Sequence, residues 1–129
     1  MAKRTPRPAS PERPGGRARL TEHCRTLVGT TEDVKWGAAL VFSVVTKMYV
    51  MFDLEDQRQF SFQCDEDDFD RLTEMEGIIP APYAARMGWV KVLPDAKITM
   101  PELRRLLTKA HGLIAQKLPK KTQRELGLL

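Results

Sequence analysis

Lys35-Trp36-Gly37 sets a cation and an aromatic ring beside a glycine. Such a trio can grip a ligand by stacking and charge, or it can simply open a sheet. A second group with chemical potential lies near the C-terminus. Residues 97–124 hold Lys97, Arg104, Arg105, Lys109, Lys117, Lys120, Lys121 and Arg124 against Glu102 alone. Arg105 and Lys109 are four residues apart, so they share a helical face away from the leucines. A basic face followed by KLPKKTQR suits phosphate contacts, and equally suits a solvated helix end where cations are favoured.

The acids concentrate elsewhere. Residues 53–76 carry ten acidic side chains against Arg58 and Arg71. The resulting polarity suits a nucleic-acid binder that keeps its acidic pole away from the duplex, or a protein partner that reads the polarity. Asp65, Glu66, Asp67, Asp68 and Asp70 are hard oxygen ligands, but they lack the central glycine and terminal glutamate of a calcium loop. A helix start accounts for them, and neither a metal nor a cofactor is expected. No Ser/Cys-His-acid spacing, phosphate loop or HExxH motif is present. His23 and His111 read as surface or half-buried helix residues, and no enzymatic activity is expected.

The elements that must position these groups follow from period and punctuation. The net charge of +4 belongs to the N-terminus, since residues 1–19 carry six basic side chains and one acidic. Residues 20–129 carry 15 and 16, so the folded part is near neutral and any phosphate binding by it should be weak. MAKRTPRPASPERPGG has almost nothing to bury, which predicts a disordered basic tail over 1–16 and one domain over 17–129. It reads as a solvated tail or as an arm that adds nonspecific attraction to phosphates. Leu20, Cys24 and Leu27 predict a helix over about 17–28, with Gly29 past its end and a short polar link over 30–33.

The period then changes to two. Leu40 to Val45, Lys47 to Leu54 and Gln59 to Cys64 each alternate, which predicts a meander of antiparallel strands covered on one face. Asp65 is a good N-cap for a short helix buried through Phe69, Leu72 and Met75. IIPAPYAARMG reads as a loop leading to a strand over Trp89–Leu93. Thr99-Met100-Pro101-Glu102 is a capping box for a long helix packed through Leu103, Leu106, Leu107, Ala110, Leu113 and Ile114 and ending before Pro119. The fold class is α+β: an antiparallel sheet with helices on one face. Cys24 and Cys64 form no CxxC and read as buried thiols. No apolar run is long enough for a membrane span, and no signal-peptide core is visible, so a cytoplasmic protein is expected.

The blocks TEDVKWGAALVFSV, KMYVMFDL, SFQCDEDDFDRLTEMEGIIPAPYAARMGWVKV and KLPKKTQREL, in that order, resemble the MmcQ/YjbR family of small bacterial proteins. The resemblance covers roughly Leu20 to Leu126. It implies a CyaY/frataxin-like sandwich, likened to a double-wing module, and DNA as partner. It also groups Lys35, Trp36, Lys47, Tyr83, Arg86, Trp89, Lys91 and Lys117 as a surface mixing aromatics with cations, beside Arg105, Lys109, Lys120 and Lys121. The alternative is a small protein- or ligand-binding module with a Trp/Tyr/Lys pocket. In the blander reading Trp36 and Trp89 are core-edge residues. The family often has a Gly-Gly turn before the KMYV-like strand, and Val45-Thr46 stands there in this chain.

Overall fold

A computed structural model describes residues 15–129. The expected disordered arm therefore lies, for residues 1–14, outside the described residues. The elements run α1 (Gly15–Arg25), β1 (Thr30–Lys35), β2 (Ala39–Val44), β3 (Lys47–Asp53), β4 (Phe60–Gln63), α2 (Glu66–Leu72), β5 (Ile78–Pro80), a 3-10 turn (Ala85–Met87), β6 (Trp89–Val92), α3 (Met100–Ala115) and α4 (Lys120–Glu125). The six strands form one antiparallel sheet in the order β1-β2-β3-β4-β6-β5, as the α+β expectation requires.

Alternation sets the two faces of the sheet. Leu40, Phe52, Phe60, Val92 and Ile78 form one row across five strands, with Phe42, Val50, Phe62 and Val90 beside it. These rows meet Leu103, Leu106, Leu107, Ala110 and Ile114 of α3, and Leu20 and Cys24 of α1, in a single core. Four phenyl rings form its centre: Phe52 lies 5.9 Å from Phe42 edge-on and 5.1 Å from Phe60, and Phe60 stacks 6.1 Å from Phe62. The opposite face carries Val41, Met51, Ser61, Lys91 and Ile79 in register.

Local chemistry explains the helix starts. Asp65 caps α2 by accepting from the Asp68 amide at 2.8 Å. Thr99 caps α3 by accepting from the Glu102 amide, with Pro101 in the first turn.

Four expectations need correction. The supposed link at 30–33 is part of β1, paired with β2 through all six of its residues. Its middle side chains are exposed because an edge strand has one neighbour, so no alternation marks it. IIP is a second edge strand rather than a loop, and Pro80 is tolerated at its end for lack of an outer neighbour. KLPKKTQREL contains a fourth helix, α4, after the break at Pro119. Finally, α1 ends at Arg25, and Gly29 (φ 75°) serves the turn into β1.

A bulge decides one core residue. Phe42 pairs with Val50 but Ser43 pairs with Met48, leaving Tyr49 as the extra residue. Strict alternation would put Tyr49 opposite Val50, yet both are fully buried. The Tyr49 hydroxyl lies 2.9 Å from Thr30 Oγ1 and donates to the Cys24 carbonyl at 3.5 Å.

Candidate functional site

The opening trio is a turn. The Ala38 amide donates to the Lys35 carbonyl at 3.1 Å, and Trp36 (φ 56°) and Gly37 (φ 65°) both take left-handed backbone, the signs of a type I′ turn. Glycine does this without strain, but tryptophan does not. Trp36 is 70% exposed at the tip and covers no core. Trp89, in β6, is 5% exposed. The packing reading therefore holds for Trp89 and fails for Trp36, because a turn tip points a side chain away from the sheet.

The basic face of α3 faces acids. Lys109 Nζ sits 2.8 Å from Asp65 and 3.0 Å from Asp68. Arg105 pairs with Glu102 at 2.7 Å, and Arg71 bridges Asp68 and Glu102 at 3.1 and 3.2 Å. The acidic start of α2 packs against the basic face of α3, so the charge poles separated in sequence adjoin here. Arg105 and Lys109 are thus engaged within the domain.

The network has a pH signature. The hydrogen bond from Lys109 holds the Asp65 carboxyl below its ordinary range, and the bond from Arg105 does the same for Glu102. A depressed folded pKa means stability that is present above the unfolded pKa and lost as pH falls through the folded one. Resistance to urea should weaken between about pH 5 and pH 3. Solvent screening at these exposed side chains keeps the effect of each pair small. Lys109→Gln should flatten that slope, and an unchanged slope would refute the assignment.

Other cations stay free. Lys117, Lys120, Lys121 and Arg124 are exposed, and no ion pair holds them among the described residues. Gln123, which sequence reasoning passed over, is buried; its side-chain amide donates to the Leu118 carbonyl at 2.7 Å and locks α4 to the end of α3. Nothing in an isolated KKTQRE marks that glutamine as structural. A Cβ on Gly29 would touch Leu126 Cδ1 (3.6 Å) and Val44 Cγ1 (3.7 Å), so the end of α4 lies against the end of β2. Val44 pairs with Lys47 across the β2–β3 turn. Lys47 and the α4 cations thus share one end of the molecule. Of the turn residues Val45 and Thr46, only Val45 has positive φ, at 61°, an uncommon conformation for a β-branched side chain.

The remaining candidates scatter. By register, Lys35 and Trp36 lie at the opposite end of the sheet from Lys47. Tyr83 and Arg86 lie at the Lys47 end but on the far side of the sheet, in the connection between its last two strands, β5 and β6. Lys91 is half-buried on the open face, lining a depression of about 180 Å³ with Asp53, Gln59 and Ser61. An open cleft of about 430 Å³ between the 3-10 turn and α2 holds Arg86, Glu66, Asp70, Phe69 and Met87. Neither cavity is lined by Trp36, Tyr83 or Trp89, so no Trp/Tyr/Lys pocket assembles in them.

Burial pushes the Cys24 and Cys64 thiols up to about 12, so both stay protonated near neutrality. His23 Nε2 lies 2.7 Å from Thr108 Oγ1, and burial lowers its pKa. His111 is buried, which exceeds the half-buried expectation, with Nε2 2.6 Å from the Val28 carbonyl oxygen and its ring edge-on to Tyr49. Among the described residues no three His, Cys, Asp or Glu side chains group to hold a metal ion, and no helix is long and apolar enough to cross a membrane.

No curated protein matches the chain. It is similar to a Deinococcus radiodurans protein with a DUF419 domain, at 26% identity and a TM-score of 0.76, over 87% of this chain and 88% of that one. A Pseudomonas syringae protein shares the fold, at 18% identity and a TM-score of 0.62, over 76% of this chain and 97% of that one. The YjbR family model matches residues 25–113, from the end of α1 well into α3. With that span and this fold, the chain belongs to the YjbR family.

Proposed function

We propose that this domain binds DNA through phosphate contacts and catalyses no reaction. The observation that carries the reading is the sorting of cations: those of α3 beside α2 are neutralised, while Lys117, Lys120, Lys121 and Arg124 are exposed and share an end with Lys47. Exposed lysines and arginines at one end of a fold gain affinity by releasing phosphate counterions. Affinity is expected to be weak and largely independent of sequence, since the folded part is near neutral. Protonated buried thiols and histidines engaged in packing hydrogen bonds support a non-catalytic role, and free thiols fit a cytoplasmic protein.

The test is DNA binding by the full chain, and by a chain beginning at Gly15, across a salt series. Lys120→Glu with Lys121→Glu should weaken binding to all sequences and lower the salt slope by about 2, near one for each phosphate left without its lysine. An unchanged slope would refute the α4 site. Binding that disappears with residues 1–14 would assign it to the arm.

A second reading, a protein-binding module, is favoured by Tyr83, which is fully exposed. Under it the paired lysine reversals leave function untouched.

A further inference from the structure

The β5–β6 connection carries an apolar patch that the proposed DNA contacts do not use. Pro82, Tyr83 and Met87 are exposed there; Tyr83 shows its whole side chain and Met87 is 70% exposed. Tyr83 also sits at φ 68°, left-handed backbone that is uncommon for an aromatic residue. Tyrosine, methionine and arginine side chains are the types that anchor protein contacts. Behind the patch runs the cleft of about 430 Å³, with Phe69 and Met87 as apolar wall and the acids Glu66 and Asp70 outnumbering the cation Arg86. Neither acid forms an ion pair among the described residues, although their neighbours Asp65 and Asp68 do.

An occupant for this surface must be apolar at one edge and cationic at another. The chain's own N-terminal sequence has that form. Arg4, Arg7 and Arg13 recur at multiples of three, and so do Pro8, Pro11 and Pro14. In a polyproline II helix, with three residues per turn, the arginines line one edge and the prolines another. Proline-rich segments of this kind dock on aromatic surfaces, and their arginines meet carboxylates. Reach is sufficient. Fourteen residues span at most about 46–50 Å when extended. A domain of this size has a radius of gyration of only about 13 Å.

We propose that residues 3–14 dock on the surface formed by Tyr83, Met87 and the α2 cleft of the same chain, prolines against Tyr83 and Met87 and arginines toward Glu66 and Asp70. The arm then has a resting site on the domain, separate from the cations of α4.

The full-length protein tests this directly. A carbodiimide couples amines to carboxylates in direct contact, so Lys3 should cross-link within one chain to Glu66 or Asp70, as read by peptide mass spectrometry. Tyr83→Asn keeps a residue tolerant of positive φ and removes the ring. It should reduce those cross-links several-fold while leaving the thermal midpoint unchanged. Arg4→Glu with Arg7→Glu should do the same. Lys3 links spread over the surface acids would overturn the proposal, as would links confined to pairs of chains or links indifferent to Tyr83→Asn.

Discussion

Phe52→Ala is expected to cost about 3–5 kcal/mol of folding stability. The ring is fully buried and sits between Phe42, edge-on at 5.9 Å, and Phe60 at 5.1 Å. Its removal takes apolar area from the core and leaves a void that sheet and helix cannot both close. The strand backbone is held on either side by β2 and β4, and α3 packs against β3. Domains of this size have roughly 5–15 kcal/mol in total, so the variant should unfold at much lower urea with little change in the slope of the transition. A loss under about 1.5 kcal/mol would mean that the phenylalanine row is not the mechanical centre of the core.

Gly77→Ala should be comparably severe for a different reason. Gly77 joins α2 to β5 at φ 89°, and a Cβ there would lie 2.6 Å from the Ala96 Cα and 2.9 Å from its amide nitrogen. The Gly77 carbonyl also accepts from the Leu93 amide at 2.8 Å, so the two backbones are tied at that approach. The left-handed backbone alone costs about 1–2 kcal/mol for a residue with a side chain. The backbone clash adds to it, for an expected total near about 3–4 kcal/mol. Gly37→Ala is the internal control. Its φ is 65° but nothing lies within 4 Å, so only the conformational cost of about 1–2 kcal/mol applies. Equal midpoints for the two alanine variants would show that the Ala96 contact relaxes freely.

Neither of these variants touches α4, whereas Lys120→Glu with Lys121→Glu touches no core. That separation lets unfolding and DNA binding be read independently, as surface changes of this kind move stability little.

Much of the architecture was legible along the chain. The alternation of Phe60, Phe62 and Cys64 with Gln59, Ser61 and Gln63 reports a sheet wet on one face. The 3-4 spacing of Leu103, Leu106, Leu107, Ala110 and Ile114 reports a helix on the other, and all five are buried. Asp65 and Thr99 announced their helices because a cap acts on an amide three residues away. The family blocks KMYVMFDL and GWVKV fall on β3 and β6, so their order already carried the fold.

Other features had no signature in any short window. β1 and β5 are strands because β2 and β6 offer them a free edge; alone, TTEDVK and IIP read as link and loop. Tyr49 enters the core because a bulge shifts the register after Phe42. The two tryptophans differ because one occupies a turn tip and the other a strand. The basic stretch from Lys97 to Arg124 looked uniform. Yet Lys109 is held by Asp68, 41 residues earlier, and Arg105 by Glu102, while Lys120 and Lys121 remain exposed. Period, caps and composition are relations among residues a few positions apart. They are enough to define most of the elements and the buried stripe of each. Which edge is free and which cation is neutralised depend on the packing of distant segments. Only the assembled fold brings α2 against α3 and α4 against the end of β2, and that packing decides which cations are engaged by acids and which stay exposed.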